Sequence, residues 1–212
     1  MAVLATWRYM VAIASGYLAS LVAFPDLPGF RPGGEPLFAR LLVALLLPTT
    51  AAAIYMVIRS VWARDPVRDA DAVFEPTYGA ITFAVVLFVI AIHLMVVAAL
   101  TGILTERDWL IRTTIVLFGA MLVKIGNVLP RTRPNLALGI RTPQTLADRR
   151  LWMQTHRMAG YIAVGLGVVF ALSGAFLSKP MGEPVMGLAL LGATVAMIAS
   201  YGLYAFRRQP GL

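Results

Sequence analysis

Side chains able to carry acid–base, metal or recognition chemistry are few and unevenly placed in this 212-residue sequence. It has two histidines, His93 and His156, no cysteine, and only 10 Asp and Glu. Two histidines in separate segments fall short of the three or four ligands of a zinc site. The lack of cysteine removes disulfides, thiolate metal sites and a Cys nucleophile together. No Gly-rich phosphate loop ends in Lys-Ser/Thr, and Ser173-Gly174 lies outside any nucleophile elbow. The acids fall mostly in short connections, so no carboxylate pair is set for proton transfer. The expectation is a non-enzymatic protein with no metal and no cofactor.

Polar chemistry concentrates between Lys124 and Arg157. This stretch carries Arg131, Arg133, Arg141, Arg149, Arg150 and Arg157, the amides Asn127 and Asn135, a single acid, Asp148, and His156. Pro130, Pro134 and Pro143 forbid one continuous helix, because each lacks an amide hydrogen and restricts the residue before it. Gly139, ahead of Ile140-Arg141-Thr142-Pro143, suits a tight turn at positive φ. A helix is predicted to restart at Thr145, with Thr145-Leu146-Ala147-Asp148 as a capping box. From there Asp148, Trp152 and His156 follow at steps of four and share one broad helix face, with Trp152 suited to the headgroup level. The plain reading is a basic loop whose charge sets topology. Topology needs charge, however, and leaves Asn127, Asn135, Gly139, Thr142 and His156 without a reason. In a membrane setting, arginines beside Trp152 favour anionic lipid headgroups or a protein partner over nucleic acid.

The rest of the chain must hold that segment in place. Composition is 59% hydrophobic and 13% charged, and mean hydropathy is +0.80; an average soluble domain has about 25% charged residues. About 20 apolar residues cross a bilayer core, and six stretches qualify: Trp7–Phe24, Leu37–Trp62, Thr77–Leu104, Trp109–Leu129, Met158–Ser178 and Pro184–Phe206. The expected fold is an all-α integral membrane protein of six spans, with the basic loop 124–157 between spans four and five. The first segment also resembles a signal peptide, with Arg8 ahead of an apolar run, but no Ala-x-Ala site follows it. The formal net charge of +8 comes from 18 Lys and Arg against 10 Asp and Glu. Alternating spans place thirteen of the 18 on one side, including Arg8, Arg59, Arg64, Arg68, Arg207, Arg208 and the loop. Arg31, Arg40, Arg107, Arg112 and Lys179 are left on the other. By the positive-inside rule, both termini and the loop are expected to be cytoplasmic.

Inside the spans, His93 is either a neutral packing residue or a proton relay. Lys124, near the end of span four, either snorkels to water or pairs with Asp148. Small residues at Gly160, Gly165, Gly167 and Gly174, and at Gly187, Ala189, Gly192, Ala193, Ala196 and Ser200, are expected to let helices approach closely.

Gly126-Asn127, then Asn135-x3-Gly139-Ile140-Arg141-Thr142-Pro143-x-Thr145-Leu146, then Asp148, Trp152, His156 and Arg157 form a specific string. On these residues the chain resembles the SdpI family of bacterial membrane proteins. Order and place agree, since the family carries the string between two spans near the middle of a six-span chain. Gln144 departs from the aromatic or basic residue common there, and the first connection lacks a histidine-containing stretch. The resemblance divides the chain into a two-span region, 1–76, and a four-span region, 77–212. It implies a protein of the bacterial plasma membrane that protects against an antimicrobial peptide toxin and, in some relatives, captures a cytosolic repressor. The binding loop would comprise Asn127, Arg131, Arg133, Asn135, Gly139, Arg141, Thr142, Pro143, Thr145, Asp148, Trp152, His156 and Arg157. Two other readings fit the residues. In a small transporter or anionic-lipid-handling protein, His93, Lys124 and Asn127 would line a polar route. A membrane scaffold would need no ligand.

Overall fold

The computed structural model describes residues 6–27, 36–65, 75–105, 107–177 and 179–206. Among them are seven α-helices: α1 (Thr6–Ala23), α2 (Pro36–Ala63), α3 (Glu75–Leu100), α4 (Arg107–Val128), α5 (Pro143–Ala147), α6 (Arg149–Phe176) and α7 (Lys179–Phe206). Five stretches are long and apolar enough to cross a membrane: Trp7–Asp26, Leu37–Ala63, Pro76–Leu100, Asp108–Arg131 and Arg149–Phe176. Within α7 the described apolar stretch is the shorter Leu190–Tyr201. Leu21, Phe38, Phe176 and Leu188 are each at least 69% exposed. Apolar surface on that scale needs a lipid solvent. The protein is an all-helical, multi-pass membrane protein.

Three helix boundaries differ from the sequence expectation, the last helix beginning at Lys179 in place of Pro184. The third span stops at Leu100, where Gly102 turns left-handed at φ +77° and ends the helix as glycine commonly does. The fifth begins at Arg149, well before Met158, because Asp148 caps it. Of the charges used to orient the spans, Arg31, Arg68, Arg207 and Arg208 lie outside the described residues.

Helices α1, α2 and α3 pack around Tyr9, Ala51, Tyr55, Val86 and Ile90. Tyr9 stacks on Tyr55 with ring centroids 4.4 Å apart and meets Phe83 edge-on at 5.4 Å. Its buried hydroxyl donates to the Gly79 carbonyl at 2.8 Å, as a buried phenol requires. Aromatic contacts continue through Phe88, Phe118 and Phe170, joining α3 to α4 and α4 to α6.

The α4–α6 pair is held differently. A Cβ built on Gly126 would lie 2.7 Å from the Gly160 carbonyl oxygen, one on Gly119 2.4 Å from that of Gly167, and one on Gly174 2.8 Å from that of Arg112. Positions 112, 119 and 126 on α4 therefore meet 174, 167 and 160 on α6, a step of seven in each, run in opposite directions. Only glycine allows backbones this close. Gly160, Gly167 and Gly174 thus do the packing expected of them. Gly165, Gly187 and Gly192 do not, since a Cβ at any of the three would meet nothing within 4 Å.

Three contacts bring the basic ends together. Tyr9 near the start of α1 reaches Gly79 near the start of α3, Asp65 after α2 accepts from the Leu136 amide in the loop, and Thr142 meets Tyr201 near the end of α7. The loop and the ends of α2, α4 and α7 therefore share one end of the bundle.

Candidate functional site

Pro130 ends the regular hydrogen bonding of α4, and a single 3-10 turn, Leu129–Arg131, carries the chain off the helix. Thr132, fully buried, is then fixed from two directions. Its hydroxyl donates to the Leu129 carbonyl at 2.8 Å, and its own carbonyl accepts from the Trp152 indole N–H at 3.1 Å. Trp152 stands at 0% exposure. It is therefore a core residue of the loop, against the expectation of a headgroup anchor.

Asn135 builds the next turn with its own side chain. Its Oδ1 accepts from the amides of Ala137 and Leu138 at 2.9 and 2.6 Å, while Nδ2 donates to the carbonyls of Arg133 and Leu138. This is the local bonding that suits Asn to turns. The turn is moored to the amino-terminal helices. The Leu136 amide donates to Asp65 Oδ2 at 2.8 Å, and Ala137 and Leu138 pack against Trp62 and Tyr78.

Gly139 has φ +107°. A Cβ there would lie 2.1 Å from His156 Nε2, so backbone angle and space both demand glycine. The closeness has a purpose: His156 Nε2 accepts from the Ile140 amide at 2.9 Å, and Nδ1 contacts the Trp152 carbonyl at 2.9 Å. An amide can only donate and a carbonyl can only accept. The ring is therefore neutral, with its proton on Nδ1. It stacks on Trp152 at a centroid distance of 4.0 Å.

Helix formation resumes with two caps where one was expected. Thr142, not Thr145, caps the short α5: its hydroxyl accepts from the Thr145 amide while the Thr145 hydroxyl accepts from the Thr142 amide. Pro143 takes the first helical position, where its missing N–H costs nothing. Asp148 then caps α6, Oδ1 accepting from the amides of Arg150 and Leu151 at 2.7 and 3.2 Å. The Thr145–Asp148 capping box is replaced because the Thr145 hydroxyl is already engaged with Thr142 and the Ile140 carbonyl. The loop is finally touched from α7, with the Tyr201 hydroxyl 2.8 Å from Thr142 Oγ1 and donating to Gln144 Oε1 at 3.3 Å.

The sequence-predicted residues separate into an inside and an outside. Asn135, Thr145, Trp152 and His156 are buried, with Arg133, Thr142 and Asp148 half-buried around them. Asn127, Arg131, Gly139, Arg141, Pro143 and Arg157 are exposed, as are Arg149 and Arg150. The two intramembrane candidates do not meet. His93 is fully buried where α1 and α3 cross: Nε2 bonds the Gly16 carbonyl and Ser20 Oγ, and the Ser20 hydroxyl donates on to the Ala44 carbonyl of α2. Lys124 is exposed, at the mouth of a crevice between α1, α3 and α4 whose lining does not include His93.

Asp65, Trp62 and Tyr78 belong to the site and escape a reading of the sequence. An aromatic at a span end is what a membrane interface ordinarily carries, so Trp62 and Tyr78 give no signal of their own. Nothing in their spacing to residue 136 reveals the contact.

Residues 131–202 match the SdpI/YfhL protein family. This interval covers most of the loop and the two helices that follow. Across 201 residues, 92% of this chain and 93% of the other, the sequence is 20% identical to the immunity protein SdpI of Bacillus subtilis (strain 168). Over this interval the chain is similar to the SdpI family. No solved structure matches it. Set on this geometry, the residues that carry the SdpI resemblance fall into two groups. Asn135, Gly139, Thr142, Thr145, Asp148, Trp152 and His156 shape the loop, and Arg141 and Arg157 lie on its outer face.

Proposed function

We propose that this SdpI-family chain is a non-enzymatic immunity protein of the bacterial plasma membrane, protecting its host against an antimicrobial peptide toxin. The observation that carries the reading is likeness to an immunity protein along nearly the whole length of both chains. The loop-bearing end is assigned to the cytoplasm, because basic span flanks are retained there.

In this reading the toxin is recognised at the membrane and the loop reports the bound state to a cytosolic repressor. Arg131, Arg141, Arg149, Arg150 and Arg157, all exposed, present guanidinium groups to an acidic partner surface. Such pairs form charge-assisted, often bidentate hydrogen bonds. The buried Trp152–His156 stack and the Asn135 turn hold the backbone beneath them, which lowers the ordering cost of binding.

Expression in a toxin-sensitive bacterium is expected to raise survival against an antimicrobial peptide toxin, tested first with any peptide encoded beside its gene. No protection against any neighbouring peptide would remove the reading. Arg141→Gln with Arg149→Gln and Arg150→Gln is expected to abolish repressor capture while leaving the protein in the membrane; unchanged capture would take the loop out of the mechanism. With no native cysteine, sidedness is directly testable. A Gln144→Cys variant should resist an impermeant maleimide applied to intact cells, and an Ile103→Cys variant should react.

A further inference from the structure

A crevice of about 600 Å³ opens between α1, α3 and α4. Its walls are Phe83, Ala84, Leu87, Phe88, Leu117 and Met121 among other mostly small or apolar residues, and its two charged members are Arg8 and Lys124. No carboxylate is among the described lining residues. Both cations are exposed, and Leu87, 48% exposed, leaves the crevice open sideways to the bilayer. On α3 the lining runs from Pro76 to Ala91, a rise of about 22 Å at 1.5 Å per residue. On α4 it runs from Lys124 to Leu117, about 10 Å. One leaflet of hydrocarbon is about 15 Å thick.

We propose that this crevice is a binding site for one anionic phospholipid, its phosphate held between Arg8 and Lys124 and an acyl chain lying along Phe83, Leu87, Leu117 and Met121. Three features select this occupant. The cations sit at one end of a mostly apolar slot, its longer and shorter walls bracket the thickness of one leaflet, and its open side faces lipid. A soluble anion would gain nothing from the apolar wall, and a zwitterionic lipid would bring its own cation against Arg8 and Lys124. The site is separate from the loop and independent of the immunity reading.

The test is native mass spectrometry of the full chain, released from nanodiscs of equal phosphatidylglycerol and phosphatidylcholine, with helix content and melting temperature checked for every variant. Wild-type protein should retain one phosphatidylglycerol in preference to phosphatidylcholine, and inorganic phosphate should not displace it. Arg8→Gln with Lys124→Gln should lower that preference about tenfold or more, since each cation near a membrane surface contributes about 1 kcal/mol to anionic-lipid binding. Ala120→Phe, which fills the slot and keeps both charges, should also lower retention. Arg64→Gln with Arg150→Gln, which removes two positive charges elsewhere at the same end, should leave it unchanged. Wild-type retention in the double variant or in Ala120→Phe would overturn the proposal. So would an equal loss in Arg64→Gln with Arg150→Gln, which would point to diffuse surface charge, or displacement by inorganic phosphate.

Discussion

The amino-terminal bundle and the capped loop each bury one histidine completely, and the two rings are held in opposite tautomers. His93 donates from Nε2 to the Gly16 carbonyl and Ser20, which leaves Nδ1 without a proton and, among the described residues, without a partner. His156 carries its proton on Nδ1 and uses Nε2 as an acceptor for Ile140. The first ring ties helices that are already complete, so one polar tie suffices. The second supplies an acceptor to backbone that has left regular structure and has no ladder of its own. A histidine is the same side chain in both places; the need of the surrounding backbone decides what it does.

The largest effect expected is from Gly139→Ala. It forces a Cβ onto the His156 ring at a backbone angle that non-glycine residues avoid, costing about 3 kcal/mol or more. Limited proteolysis in detergent should show the 133–142 segment cut while α1–α3 stay protected. Protection of the loop at the wild-type level would erase the distinction between the regions. Next come His156→Ala and His93→Ala, each lowering stability by about 2–4 kcal/mol through lost packing and lost hydrogen bonds. Because the two sites share no partner, their effects should add to within about 0.5 kcal/mol in denaturant titrations. Asp65→Ala combined with His156→Ala should instead depart from additivity, since both hold the 136–140 backbone. Trp152→Phe shrinks the buried ring and leaves the Thr132 carbonyl unpaired, for about 1–3 kcal/mol. Smallest is Gly165→Ala, within about 0.5 kcal/mol, because the new methyl meets open space. Gly167→Ala at the α4–α6 contact should cost about 1–3 kcal/mol, and thermal unfolding in one detergent compares the pair.

Much of this architecture is legible in the sequence. Hydropathy gives the spans because a bilayer demands length and apolarity from each helix on its own. Pro130 and Gly139 mark the bend and the turn, since the peptide geometry of Pro and Gly is local. The cap falls three residues from its expected place because Thr142 and Thr145 are both competent, and the choice depends on where Ile140 places its carbonyl. Trp152 lies in the core for a similar reason: an indole suits a headgroup layer and a small core equally, and only the Thr132 carbonyl decides. The moorings at Asp65, Trp62 and Tyr78 include a contact across 71 residues of chain, with no periodicity to announce it. The glycine contact is half visible: Gly160, Gly167 and Gly174 stand out by size, whereas the matching step of seven at Gly119 and Gly126 is the clue to their partner.

That glycine register behaves as a detent. With matched positions seven residues apart, the next setting in which glycine again faces carbonyl lies about 10 Å along the axis, and a shorter stroke drives side chains into backbone. Helix α6 is thus denied small piston movements against α4. Movement at the loop end is left to α7, which reaches the loop through the Tyr201 hydroxyl.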